Sequence, residues 1–207
     1  MSYASLDELR SHLGGGPRAA DDPAYRAKMM HPFPEATSVD RVAFILKHCE
    51  GKRVLEFGAS GLLHEAIVKA AAEYMGVDRE DRDGSHVYGF DLDDVSQAHV
   101  PDPFGWTPEI LICGETLEHL SNPGWFLTRL RRDYPGVPLI ITVPNAFSAA
   151  GQHWLTKGIE CVNKDHCAWY SPKTLAVLLQ RAGYTVGGLF WYGGTGPTAE
   201  GLVVVTE

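Results

Sequence analysis

From residue 37 onward, apolar positions follow two alternating rhythms. Val39, Val42, Ile45 and Leu46 recur at helical spacing and predict a helix from Thr37 that ends at Glu50-Gly51. Short apolar runs at Arg53–Phe57, Glu73–Asp78, Val87–Asp91, Glu109–Cys113 and Val137–Val143 predict buried strands. Helical stretches lie between them. One follows Gly58-Ala-Ser-Gly61 through about Ala72, one opens at Ser121-Asn-Pro123, and one runs from Ser171-Pro172 to Gln180 and stops near Gly183. Ser and Asn suit an N-cap, and Pro suits the first helical turn. Two last strands, near Val186–Tyr192 and Leu202–Thr206, are joined by Gly- and Pro-rich residues. Strands alternating with helices imply an α/β fold. The expected form is a doubly wound, mostly parallel seven-stranded sheet with an antiparallel edge hairpin. Such a sheet takes its ligand at the carboxyl ends of its strands.

Residues 1–36 break this rhythm. Ser5-Leu-Asp-Glu predicts a short capped helix, Gly14-Gly-Gly-Pro17 ends it, and His31-Pro-Phe-Pro34 reads as an extended connection. The stretch is expected to be an N-terminal extension, either a lid carrying Tyr25, Met29 and His31 or a packing strap, with residues 37–207 forming the main domain. The 207 residues, 44% hydrophobic and 21% charged, fit one soluble domain with a sizeable core. A net charge of −8 counts against nucleic acid as a partner and favours a small or neutral substrate. The start carries no apolar leader and no segment reaches membrane-spanning length, so a cytoplasmic location with no membrane partner is expected. Cys49 and Cys113 fall in apolar segments as core thiols; Cys161, His166 and Cys167 match no common zinc spacing.

Chemistry concentrates where strands are expected to end. Glu115-Thr-Leu-Glu118-His119 follows the apolar run Ile110-Leu-Ile-Cys113. A helix starting near Gly114 would set Glu115, Glu118 and His119 on one face of one turn. Two carboxylates and an imidazole held together call for a cation or a reacting proton. The plain alternative is a solvated first turn whose acids favour the helix dipole. Downstream, Asn163-Lys-Asp165-His166 is placed to bring a fourth ligand. In Val54-Leu-Glu56-Phe-Gly58-Ala-Ser60-Gly61, small residues at a strand-to-helix turn let the backbone approach a ligand. Asp78, at the end of the second strand, suits a ribose diol; Asp91, with Asp93 as a near alternative, suits an adenine amino group. Trp154, Trp169, Tyr170, Trp191 and Tyr192 either line a pocket or pack the core. His64 and His153 are expected to face solvent or cap local structure, and Lys47, Lys52 and Lys69 to be exposed charges.

The segments VLEFGASG, YMGVD, ILICGETLEHL, LIITVPN and DHCAWYSPKTLAVLLQRAGY together resemble the class I S-adenosylmethionine-dependent methyltransferases, over roughly residues 37–207. The resemblance implies that Glu56, Gly58, Ser60 and Gly61 belong to the turn that holds the methionine moiety, Asp78 binds the ribose and Asp91 the adenine end. One departure stands out: the family turn reads G-x-G-x-G, whereas Ser60 and Leu62 occupy the second and third glycine positions here. The connection from Asp78 to Asp91 is also short for the usual helix. The Glu-x-x-Glu-His stretch resembles the metal site of ubiquinone-biosynthesis O-methyltransferases and of enzymes that 2′-O-methylate the 3′ end of small RNAs. Pro144-Asn145 and Asp165-His166 follow in the matching order. That resemblance implies one Mg²⁺ or Mn²⁺ held by Glu115, Glu118, His119 and His166. The function it implies is methyl transfer from S-adenosylmethionine to a small-molecule hydroxyl of a sugar, catechol or other diol. Without a metal, His119 or His166 would be the general base of a metal-independent O-, N- or C-methyltransferase. A cofactor-binding protein without transfer activity is the third reading.

Overall fold

The computed structural model describes residues 23–80, 86–96, 99 and 105–207. The expected helix at Ser5 lies outside them. The chain divides between Phe33 and Pro34 into two units. In the first, the described residues form one short helix, α1 (Pro23–Met29), opened by its proline. The hydrophobic pattern does not announce this helix, because its seven residues, PAYRAKM, are too few to set a helical period.

The second unit carries the sheet. Its strands are β1 (Arg53–Phe57), β2 (Glu73–Asp78), β3 (Val87–Gly89), β4 (Ile110–Gly114), β5 (Leu139–Pro144), β6 (Val186–Tyr192) and β7 (Gly201–Thr206). They form one seven-stranded sheet in the order β3-β2-β1-β4-β5-β7-β6. The pairs among β1 to β5 are parallel, whereas β7 runs antiparallel to both β5 and β6. The order reverses between β1 and β4, which is the crevice where such sheets take their ligand.

The helices are α2 (Arg41–Cys49), α3 (Gly61–Ala70), α4 (Pro123–Asp133), α5 (Ala149–Leu155) and α6 (Pro172–Arg181). Alternate strand residues feed opposite faces. On one face Leu55, Phe57, Leu111, Cys113 and Ile141 meet Phe126 and Leu127 of α4 and Leu175 and Leu179 of α6. On the other, Val54, Ile110, Ile112 and Ile140 meet Ile45 of α2 and Ile67 of α3. Each such side chain, fully buried, contributes roughly 1.5–3 kcal/mol of transfer free energy.

Three local departures have physical causes. The helix expected from Thr37 begins at Arg41, because Thr37 and Val39 pair with Trp191 of β6 as extended chain (3.0 and 2.8 Å) and Asp40 then caps through Ala43 N–H. No helix starts at Gly114. The Glu115 N–H still bonds Thr142 O of β5 at 2.9 Å, so the strand edge persists, and only a 3₁₀ turn forms at Leu117–His119. Glu115 therefore does not share a helical face with Glu118 and His119. α5 was unexpected: Ser148 caps it, but it has no buried residue and so no apolar periodicity to reveal it.

Candidate active site

A cleft of about 550 Å³ opens at the carboxyl ends of β1 to β4. Its lining includes Gly58, Ser60, Asp78, Asp91, Glu115 and His119, with Asp165 and Cys167 arriving from the segment before α6. Gly58 has φ +74°, and a Cβ there would lie 2.0 Å from Thr116 Oγ1. Only glycine fits, and the backbone at the cleft floor stays bare. Gly61 also has positive φ, +68°, but faces open space. Ser60 occupies the N-cap position of α3 without a side-chain cap bond. The turn's second left-handed glycine is thus Gly61, one residue past the family's second glycine position. Asp78 sits at the cleft wall, its Oδ1 accepting from Arg79 N–H at 2.7 Å.

Of the two neighbouring acids, Asp93 accepts from Ser121 N–H and Asn122 N–H at 3.0 and 3.2 Å, which ties the loop to the start of α4. Asp91 accepts from Asp93 N–H and is exposed at the cleft. Arg129, which the sequence did not single out, holds this loop from below. Its buried guanidinium donates to Asp94 O and Leu92 O at 3.0 and 2.9 Å. A charged residue on the apolar stripe of α4 was the available signal. This bare glycine floor, flanked by strand-end acids, fits S-adenosylmethionine.

Glu56 stands apart. It is absent from the cleft lining, and its buried carboxylate accepts from the Tyr74 hydroxyl on the opposite face of β1. His64 is not solvent-facing as expected. It is buried, with Nδ1 2.8 Å from the same hydroxyl. Burial raises the Glu56 carboxyl to about 7, against the pull of the Tyr74 bond.

Glu118, His119 and His166 converge beside the cleft, offering ligand atoms within 4.8 Å of one another. Glu118 is 1% exposed, and both its carboxylate oxygens lack a hydrogen-bond partner among the described residues. A buried carboxylate without a hydrogen bond costs on the order of 1–3 kcal/mol or more. Burial, with Glu115 nearby, raises its carboxyl to about 8. The His119 and His166 rings meet edge to face at 4.6 Å. Burial and then His119 lower the His166 imidazole below the usual histidine range, which favours the neutral, ligating form. Backbone bonds bring these residues together: Cys167 and Ala168 N–H both donate to Glu118 O (2.7 and 3.2 Å), and the Tyr170 hydroxyl donates to Leu117 O. A buried acid with no hydrogen-bond partner among the described residues, its Oε1 3.9 Å from His166 Nε2, fits a divalent cation.

Glu115 lies outside that group of three. It has φ +50°, pairs with Arg41 at 3.2 Å and accepts from Thr142 Oγ1 at 2.8 Å. Asn145 also keeps to structure. Its buried amide donates to Pro197 O and Ala199 O, both at 2.9 Å. Among the aromatic candidates Tyr170 and Trp191 are core residues, while Trp154 and Trp169 are exposed.

A family model, "Methyltransferase domain", matches residues 29–187. The chain belongs to that family, the S-adenosylmethionine-dependent methyltransferases of class I, and S-adenosylmethionine is the cofactor of the family. A search of curated proteins found no match. Among solved structures, the small RNA methyltransferase HEN1 is 17% identical at TM-score 0.65, over 86% of this chain. This chain spans only 26% of HEN1's length. A methyltransferase from Archaeoglobus fulgidus is 13% identical at TM-score 0.61, covering 80% of this chain and 90% of that one. One from Mesorhizobium loti is 14% identical at TM-score 0.56, with 80% and 94% covered. At these identities the likeness is one of fold. Among the described residues no helix is long and apolar enough to cross a membrane.

Proposed function

We propose that the protein is an O-methyltransferase that holds one divalent cation, Mg²⁺ or Mn²⁺, between Glu118, His119 and His166 and methylates a hydroxyl of a small-molecule diol. The observation that carries this reading is the buried Glu118 carboxylate, without a hydrogen bond among the described residues and facing two imidazoles beside the cleft. S-adenosylmethionine supplies an electrophilic methyl for in-line displacement, so the protein's task is alignment and proton removal. Gly58 to Gly61 present backbone groups to the methionine end, and Asp78 and Asp91 accept from the ribose and adenine. A cation at the cluster would supply Lewis acidity that lowers an acceptor hydroxyl's pKa. Mixed carboxylate and imidazole donors suit Mn²⁺ or Mg²⁺. Glu115, the fourth expected ligand, engages Arg41 and Thr142 instead and contributes charge at the cleft wall.

The acidic lining, with Asp78, Asp91, Asp93, Glu115 and Asp165 against Arg79, supports a sugar, catechol or other uncharged diol over a nucleic-acid backbone. In this reading residues 37–207 carry the activity and residues 1–36 are an extension. The free cysteines, two of them exposed, support a reducing cytoplasmic setting. Metal-independent transfer with His119 as base is the second reading, favoured by His119 lining the cleft. A methyl-release assay with catechol and Mn²⁺, against the same mixture with excess chelator, separates them. The cation reading expects turnover that chelation and Glu118→Gln abolish while S-adenosylhomocysteine still binds. Turnover that survives exhaustive chelation sinks it.

A further inference from the structure

Buried Glu56 and His64 and half-buried Tyr74 form a polar chain that the proposed chemistry does not use. The Tyr74 hydroxyl donates to Glu56 Oε2. With that proton committed, His64 Nδ1 donates to the Tyr74 oxygen at 2.8 Å. The His64 and Tyr74 rings stand edge on, 5.2 Å between centroids. Three elements are joined: Glu56 on β1, Tyr74 on β2 and His64 on α3. None of the three side chains lines the cleft.

The chain brackets the cofactor turn. Glu56 precedes Gly58 by two residues, and His64 follows Gly61 by three. Gly58 and Ala59 N–H tie the start of the turn to β2, donating to Val77 O at 2.8 and 3.4 Å, but its far end, where α3 begins, has no side-chain tie of its own. Ser60 makes no side-chain cap, and the space a Cβ at Gly61 would occupy is empty. Both glycines sit in left-handed conformations that are readily lost when the flanks move. Beside the packing of Ile67, the polar tie between the start of α3 and the end of β1 is the hydrogen-bonded chain one turn further in.

We propose that Tyr74 and His64 are positioning residues for cofactor binding, acting through Glu56 to hold the Gly58–Gly61 turn and the first N–H groups of α3 in the geometry that meets the methionine end. This rests on the reading of the cleft as the cofactor site. Removing the Tyr74 hydroxyl or the His64 N–H frees α3 to shift while every cleft-lining side chain remains.

Calorimetric titration of the full chain with S-adenosylhomocysteine tests this. Tyr74→Phe and His64→Leu should each weaken affinity about tenfold. His64→Asn, whose amide N–H replaces Nδ1–H, should recover most of it. Should Tyr74→Phe not fold, the His64 pair carries the test alone. Affinities within about twofold of wild type for Tyr74→Phe and His64→Leu overturn the proposal, as do equal losses for His64→Leu and His64→Asn, which would mean packing alone. Asp78→Ala is the reference: if it too leaves binding intact, the cofactor reading of the cleft falls together with the positioning role.

Discussion

At the cofactor turn, two glycines with similar backbones differ in what surrounds them, and that difference is measurable. Both have positive φ, but a Cβ at Gly58 runs into Thr116 whereas one at Gly61 meets nothing within 4 Å. Gly61→Ala should therefore cost only left-handed strain, on the order of 1 kcal/mol in thermal unfolding. Gly58→Ala adds a clash against a buried side chain and should cost on the order of 2–3 kcal/mol and most S-adenosylhomocysteine affinity. Equal tolerance at the two positions would refute this view of the turn. Glu56 gives a pH test. Its carboxyl is raised by burial, so the contribution to stability is full below the ordinary carboxylate range and is lost as pH climbs toward about 7. Glu56→Gln, which keeps an acceptor for Tyr74, should match wild type near pH 5 and exceed it near pH 8 by about 1–3 kcal/mol in urea unfolding. A variant less stable than wild type at pH 8 would contradict the assignment.

The elements that rest on apolar periodicity and caps were legible in the sequence. Asn122 caps α4 through Trp125 N–H, and Ser171 forms a capping box with Thr174 at α6. Ser171→Ala should lower stability by about 1 kcal/mol, read as a shifted urea midpoint with unchanged slope. No shift would mean that the buried Leu175 and Leu179 hold α6 without its cap. What was not legible depends on tertiary pairing. Glu115 stays on the β5 edge and takes a left-handed φ, so the expected helical face never forms. Glu118 and His119 still stand side by side, because a 3₁₀ turn also keeps neighbouring residues together. The burial of His64 is not legible because helix α3 shows its apolar stripe but not the hydroxyl from β2 that His64 meets.

Across the whole molecule, the strand order 3-2-1-4-5-7-6 explains why the separate motifs meet. Parallel strands put Gly58, Asp78 and Glu115 at the carboxyl ends of neighbouring strands. The Asn145–Tyr170 bridge then folds the 163–170 segment back over the 3₁₀ turn. His166 reaches Glu118 by that route, across 48 residues of sequence. The alternating pattern made a mostly parallel sheet with an antiparallel hairpin expected, but no spacing in the chain reveals its strand order or that Arg41 and Thr142 claim Glu115. The most direct test is an anomalous difference map from crystals grown with Mn²⁺ and S-adenosylhomocysteine. The account predicts one strong peak bounded by the Glu118 carboxylate and the His119 and His166 imidazoles, with the nucleoside in the cleft beside Asp78. A filled cleft with no peak there, or with manganese bound elsewhere, would contradict it.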